Sequence, residues 1–184
     1  MHKIFLFYFL IICPASVFAQ IPNSLLERNF PESWVGDWAG ELQIFNKQGM
    51  SQSLPMQLNI HPIDNSSDYT FTIIYGLDIE KGTRAYVLKT VDAKIGHYLI
   101  DEQNSIEIDA YLLGEKLVQR FEVMGNLLET FIEKRDDKLV WEIFAGKNQA
   151  TNITGDTVQD GEDIPRVKTF SMGVYQKCIL SLVE

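Results

Sequence analysis

Histidine is scarce beyond the first residues of this sequence. His61 stands before Pro62, and His97 follows Gly96. A zinc site takes three or four ligands of His, Cys or carboxylate type. No spacing around either histidine assembles them, so neither a metal nor a cofactor is expected. There is no Gly-x-Ser-x-Gly nucleophile turn, and Ser171-Met172-Gly173 lacks the strand-to-helix context such a turn needs. Cys178 lies in an apolar stretch with no basic or His neighbour in sequence, and reads as a buried, inert thiol. The carboxylates Asp101, Glu102, Glu107 and Asp109 are close enough along the chain to be checked as a hydrolytic pair. A glycosidase needs two of them about 5–10 Å apart across the bond it cuts. Neighbours on one strand face reach that range by geometry alone, and a charged outward face is the simpler reading.

Four other side chains have the chemistry of a ligand grip. Arg84 and Tyr86 open one run, Tyr75 ends the run before it, and Arg120 stands between Gln119 and Phe121. An arginine turned into a cavity can hold a ligand carboxylate in a bidentate grip; turned outward or to a rim, it is only solvated. The stretch Asp156-Thr157-Val158-Gln159-Asp160-Gly161-Glu162-Asp163 has the acids and the glycine of a calcium loop. The EF-hand pattern wants an acid or Asn at position 158 and Glu at 167, and both are Val. It reads as a solvated loop. Asp156-Thr157-Val158 also matches a short O-glycan acceptor, and Asn65-Ser66-Ser67 and Asn152-Ile153-Thr154 are N-glycan sequons.

The elements that must position these groups are strands. The period of the pattern is two over Ser105–Leu112 and again over Lys116–Val123, where Leu117, Gln119, Phe121 and Val123 share a face. Alternation of that length predicts half-buried strands. It predicts them near Trp38–Phe45, Leu54–His61, Tyr69–Tyr75, Arg84–Val91, His97–Ile100, Ser105–Leu112, Lys116–Met124, Leu127–Lys134, Leu139–Ala145 and Val167–Leu182, the last bent or broken at Gly173. Turn chemistry separates them, as at Glu102-Gln103-Asn104, Gly114-Glu115, Gly125-Asn126 and Asp136-Asp137. The stretch from Gly146 to Pro165 is polar and without period, and reads as a long loop. The only helical piece falls in Gln20–Val35, capped by Asn23 or Ser24 and ended by Pro31. Short connections predict antiparallel neighbours. The fold class is all-β: an antiparallel meander barrel of about 8–10 strands after a short N-terminal helical turn.

Ahead of the barrel stands a leader. Met1-His2-Lys3 is followed by an apolar run, and small residues at Val17 and Ala19 suit a signal peptidase cut after Ala19. Ile4–Ala19 has only 16 residues, and a spanning helix needs about 20. The expected organisation is a signal peptide at 1–19 and one β-barrel domain at 20–184, secreted or periplasmic. Removing 19 of the 184 residues leaves 165, enough to bury a real core. Losing Lys3 from 16 basic and 25 acidic residues takes the formal charge from −9 to −10. Such a charge repels phosphate backbones and anionic lipid, so nucleic acid is not an expected partner. No transmembrane segment is expected in the mature chain. Cys13 leaves with the leader, so Cys178 has no disulfide partner within the chain. Nothing here fixes an oligomeric state.

Trp34-Val35-Gly36-Asp37-Trp38-Ala39-Gly40-Glu41-Leu42 resembles the opening of calycin barrels: the lipocalins, the fatty-acid-binding proteins and their bacterial relatives. Their first strand starts with Gly-x-Trp, here Gly36-Asp37-Trp38, after a helical turn. The resemblance implies that Trp38 points inward and closes one barrel end. It also implies that a basic residue of the last strand covers that Trp; Arg166 and Lys168 are the candidates. The haem-binding nitrobindin-like branch shares Gly-x-Trp-x-Gly but ligates haem through a His near the C-terminus, and no His follows His97 here. The implied function is binding rather than catalysis, of a small apolar or amphipathic molecule in the barrel. The alternatives are a protein-binding, inhibitor or surface module and a small carboxylate-dependent hydrolase.

Overall fold

The computed structural model describes residues 30–183. The leader, the cut after Ala19 and most of the helical piece in Gln20–Val35 lie outside the described residues. The strands are β1 (Gly36–Asn46), β2 (Gly49–Ile60), β3 (Tyr69–Tyr75), β4 (Thr83–Asp92), β5 (His97–Asp101), β6 (Glu107–Leu113), β7 (Lys116–Val123), β8 (Asn126–Arg135), β9 (Lys138–Thr154), β10 (Thr157–Gln159), β11 (Glu162–Ile164) and β12 (Val167–Leu182). Ten of them close an antiparallel barrel in the order β1-β12-β9-β8-β7-β6-β5-β4-β3-β2, and β10-β11 form a separate two-stranded sheet. This is the expected meander. Closure pairs the first strand with the last and leaves the wall no free edge. The shape is consistent with a calycin-like barrel.

The sequence pattern and the wall correspond because alternate residues face a filled interior. Leu42, Met56, Leu58, Ile60, Phe71, Ile73, Leu88, Ile100, Leu112, Leu117, Ile132, Leu139 and Leu180 are all buried. Their outward neighbours are mostly polar, and Lys89, for example, bridges Asp101 at 2.6 Å and Glu107 at 3.1 Å.

One end of the barrel is plugged. A 3-10 turn at Glu32–Trp34 brings Trp34 to 3% exposure, equal to that of Trp38. Phe30 meets Trp34 and Tyr98 edge-on, at 4.7 and 4.9 Å between ring centres. Trp38 Nε1 donates to the Trp34 carbonyl at 2.8 Å. The Gly-x-Trp-x-Gly spacing has a steric cause. Gly36 holds a φ of +142°, and a Cβ there would stand 2.5 Å from Leu182 Cδ1; at Gly40 it would stand 2.3 Å from the Ile179 carbonyl oxygen. Both glycines let β12 close tightly on β1.

Three expectations need correction. Arg166 and Lys168 do not cover Trp38. The strands are antiparallel, so the start of β1 meets the end of β12: Trp38 pairs with Leu182, while Val167 and Lys168 pair with Thr154 and Ile153 at the far end of that strand. The basic residue at the plug is Lys134 of β8, whose Nζ donates to the Ser33 carbonyl. The stretch from Gly146 to Pro165 is not a loop; it is the extension of β9 together with the β10–β11 hairpin. The calcium-like segment is that hairpin, turning at Asp160-Gly161 with φ of 54° and 83°. Of the two forms expected for β12, bent or broken at Gly173, the structure shows the first: the strand continues through Gly173 with register shifts between Thr169 and Val174. A short helix α1 (Ile79–Gly82), capped by the Asp78 side chain, was not expected either.

Candidate functional site

The interior changes character along the barrel axis. Below its middle it is a packed apolar core ending in the Trp34–Trp38 plug. Across the middle, Phe71 of β3 and Trp141 of β9 meet with ring centres 6.2 Å apart. Those strands stand on opposite sides of the ring, so the pair makes a floor. Beyond it, toward the end that carries the β1–β2, β3–β4, β5–β6 and β7–β8 turns, inward side chains are only partly buried. Ile44, Leu54, Tyr75, Tyr86 and Ile143 lie there against the core.

Register places the polar groups of this open half. Opposite residues in an antiparallel pair share a face. Tyr75 is opposite Met56, Arg84 opposite Ile73, and Tyr86 opposite Phe71, and all three partners point inward. Arg84 therefore stands at the inner rim, where its Nη1 donates to the Lys81 and Thr83 carbonyls at 2.9 Å each. The α1 turn thus steadies the guanidinium. Burial pushes the Tyr75 phenol up to about 12, with Tyr86 adding to the rise and Arg84 opposing it. Tyr86 is raised by burial first and then by the Glu102 carboxylate, again opposed by Arg84. Both phenols are neutral hydroxyl donors at physiological pH. On the other wall Gln119 and Thr130 are buried and opposite one another, and Thr130 faces Ile143, which faces Gln176. One step toward the plug, the next row is Leu117, Ile132, Trp141 and Cys178. Trp141 Nε1 is buried with no hydrogen-bond partner among the described residues.

That last observation carries the most weight. Leaving a buried donor unpaired costs about 1–3 kcal/mol. The Trp141 indole N–H is satisfied if a polar group comes within hydrogen-bond reach of it.

Three of the four grip candidates, Arg84, Tyr86 and Tyr75, come together here. Arg120 does not; it lies on the outer face and bridges Glu129 at 3.3 Å. The groups not anticipated are Gln119, Thr130, Gln176 and Trp141, and Glu102, offered by the sequence only as a hydrolytic carboxylate, stands instead beside Tyr86. For Gln119 a signal was present: it is a polar residue on the face shared by Leu117 and Phe121. The histidines and the carboxylates Asp101, Glu107 and Asp109 are spent on the outside. His61 meets Asp37 at 2.8 Å, and His97 meets Asp109 at 2.7 Å and stacks on Tyr111 at 4.7 Å. Asp101 and Glu107 share Lys89, so the carboxylates do not face one another across a cleft. Cys178 is buried, and its thiol is pushed up to about 12 by burial and then by Glu41. Among the described residues no group of three or more His, Cys, Asp or Glu could hold a metal ion, and no helix is long and apolar enough to cross a membrane.

The phenol pair gives a pH signature. The folded pKa of Tyr75 lies above its ordinary value of 10.0. Its contribution to stability is therefore complete below about pH 10 and is lost as pH climbs toward 12. Tyr175 is also pushed up to about 12, by burial and then by Glu142, so absorbance titration at 295 nm should show two tyrosines ionising late, together with the onset of alkaline unfolding. Tyr75→Phe should remove one of the two late ionisations and leave that of Tyr175; an unchanged titration curve would mean that Tyr75 is solvated.

No protein-family model matches the chain, and a search of curated proteins finds no match.

Proposed function

We propose that this chain is an exported, non-enzymatic binding protein of the calycin kind, related in architecture to the lipocalins and fatty-acid-binding proteins. It takes one small amphipathic molecule into the open half of its barrel. The observation that carries the reading is the gathering of Tyr75, Tyr86 and Arg84 at incompletely buried inward positions, on the barrel half above the Phe71–Trp141 pair, whose Trp141 Nε1 has no hydrogen-bond partner among the described residues. Ligand sites of this sort are mostly apolar, with a few polar groups that fix orientation. Ile44, Leu54, Ile143 and Phe71 take the apolar body. Arg84 at the rim takes an anionic or strongly accepting head, and the two phenols donate to it. Catalysis has no comparable support, since among the described residues no activated nucleophile or facing carboxylate pair stands there. Export is read from the leader alone.

A probe with an apolar ring system and one anionic group tests this. Titration with 1-anilinonaphthalene-8-sulfonate should give saturable, one-to-one fluorescence enhancement. Ala145 faces the open half beside Leu128 and Val174, so Ala145→Trp should abolish the enhancement while leaving the strand spectrum unchanged. Equal enhancement in the variant would place the probe elsewhere.

A further inference from the structure

The Trp141 indole N–H is not the only interior polar group without a partner. Gln119 and Thr130 point inward at 8% and 4% exposure, and neither side chain hydrogen-bonds to another described residue. The three groups stand together. Gln119 of β7 is directly opposite Thr130 of β8, and Thr130 is directly opposite Ile143 of β9. Trp141 is the next inward residue of β9 toward the plug, so it lies diagonal to Thr130. Opposite side chains in an antiparallel pair have Cβ atoms about 5 Å apart, and diagonal ones about 7–8 Å. An amide, a hydroxyl and an indole N–H therefore share one patch of the inner wall, beside the Phe71–Trp141 pair.

The fold gains nothing from polar groups at these positions. A buried polar group without a partner destabilises the folded chain, whereas Leu and Val of similar size would not. At the plugged end the interior donors are paired. Trp38 Nε1 donates to the Trp34 carbonyl at 2.8 Å, and the Tyr98 hydroxyl donates to the Phe30 carbonyl at 3.3 Å. Across the middle of the barrel they are left open.

The surroundings define what completes the patch. Gln176 continues the Gln119–Thr130–Ile143 row onto β12. The next row toward the mouth is Phe121, Leu128, Ala145 and Val174, and the next toward the plug runs from Leu117 to Cys178. No Lys, Arg, Asp or Glu stands in any of the three rows, so an ion buried here would have no counter-charge beside it. The amide and the hydroxyl can each donate or accept, and the indole N–H only donates. Together they suit a neutral oxygen, either hydroxyl or carbonyl. Arg84 stands on β4, four strands around the ring of ten from Thr130 on β8. In a ring roughly 20 Å across, the side chains projecting from those two walls leave roughly 8–10 Å between the guanidinium and the patch.

We infer that the ligand carries two polar groups joined by an apolar spacer: an anionic head at Arg84, and a neutral oxygen received by Gln119, Thr130 and Trp141. Its class is a hydroxy or keto acid rather than a simple fatty acid. This inner subsite deepens the proposed function and rests on it.

Displacement of 1-anilinonaphthalene-8-sulfonate by octanoate, 8-hydroxyoctanoate and octanedioate tests the subsite. The wild-type chain should bind 8-hydroxyoctanoate about tenfold or more tighter than octanoate, because a site built for a hydroxyl leaves its own groups unpaired around the analogue that lacks one. Octanedioate, charged at both ends, should bind no tighter than octanoate. Gln119→Leu with Thr130→Val should abolish the preference for the hydroxy acid and raise the urea midpoint, since that variant buries no unpaired amide or hydroxyl. If the wild type binds octanoate as well as 8-hydroxyoctanoate, if it binds octanedioate more tightly than octanoate, or if the preference survives in the variant, the subsite is overturned and the proposed function stands. A variant that is unfolded or has a lower urea midpoint would show that the two groups hold the fold together, and would also overturn the subsite. If neither the fluorescent probe nor any of the acids binds, the proposed function falls with it.

Discussion

Trp38→Ala should cost about 3–5 kcal/mol of stability, the usual loss for truncating a core Trp. Trp34→Ala should cost nearly as much. The sequence alone suggests a milder loss at Trp34, because it lies before the first strand. The structure corrects that, since both side chains are 3% exposed and close the same end. Trp38 donates its indole N–H to the Trp34 carbonyl, and Phe30 packs on the Trp34 ring. The two truncations share partners and so should not add. Against a typical total of about 5–15 kcal/mol, either loss removes a large fraction of stability. Urea unfolding of the two single variants and the double variant decides the matter. A double loss equal to the sum of the singles would mean that the plug is not one unit, and small losses in all three would remove it from the core.

Arg84→Met should weaken binding of the anionic probe roughly tenfold or more, the scale of a lost charge-assisted hydrogen bond at about 1.5–3 kcal/mol. The methionine keeps the apolar stem and removes the charge. Arg120→Met is the matched control, because Arg120 stands on the outer face against Glu129. It should leave affinity unchanged within about twofold, as expected for an exposed ion pair. Two equal losses would point to a net-charge effect rather than a grip. No loss for Arg84→Met would place the head of the ligand elsewhere.

The ten wall strands were legible because each buries one face, and burial of one face writes a period of two into the sequence. The β9 extension and the β10–β11 hairpin were not legible for the complementary reason. Between Gly146 and Pro165 neither face of the ribbon is buried, so Asn, Gln, Thr and Asp appear without alternation and the segment reads as a loop. Arg120 shows a pattern present but not fully used: alternation places it opposite Leu117, Gln119 and Phe121, hence outside. The same alternation puts Gln119 inside. Arg84 and Tyr86 could be paired from spacing alone, but their meeting with Tyr75 depends on the β3–β4 register. Glu102 reaches the site from just past the end of β5, where no period remains. Trp141 reads as one more core aromatic, since an unsatisfied N–H is a property of the packed interior and leaves no mark in the sequence. The closing cation was misplaced because antiparallel pairing brings the end of β12, not its beginning, to Trp38.

Under the proposed function, the open half of the barrel holds a small amphipathic molecule. Native mass spectrometry of the protein purified from its own host tests it most directly. A non-covalent small-molecule adduct is expected at one per chain, released on denaturation and absent from Ala145→Trp. Wild-type protein at the bare polypeptide mass, or the same adduct retained by Ala145→Trp, would contradict it.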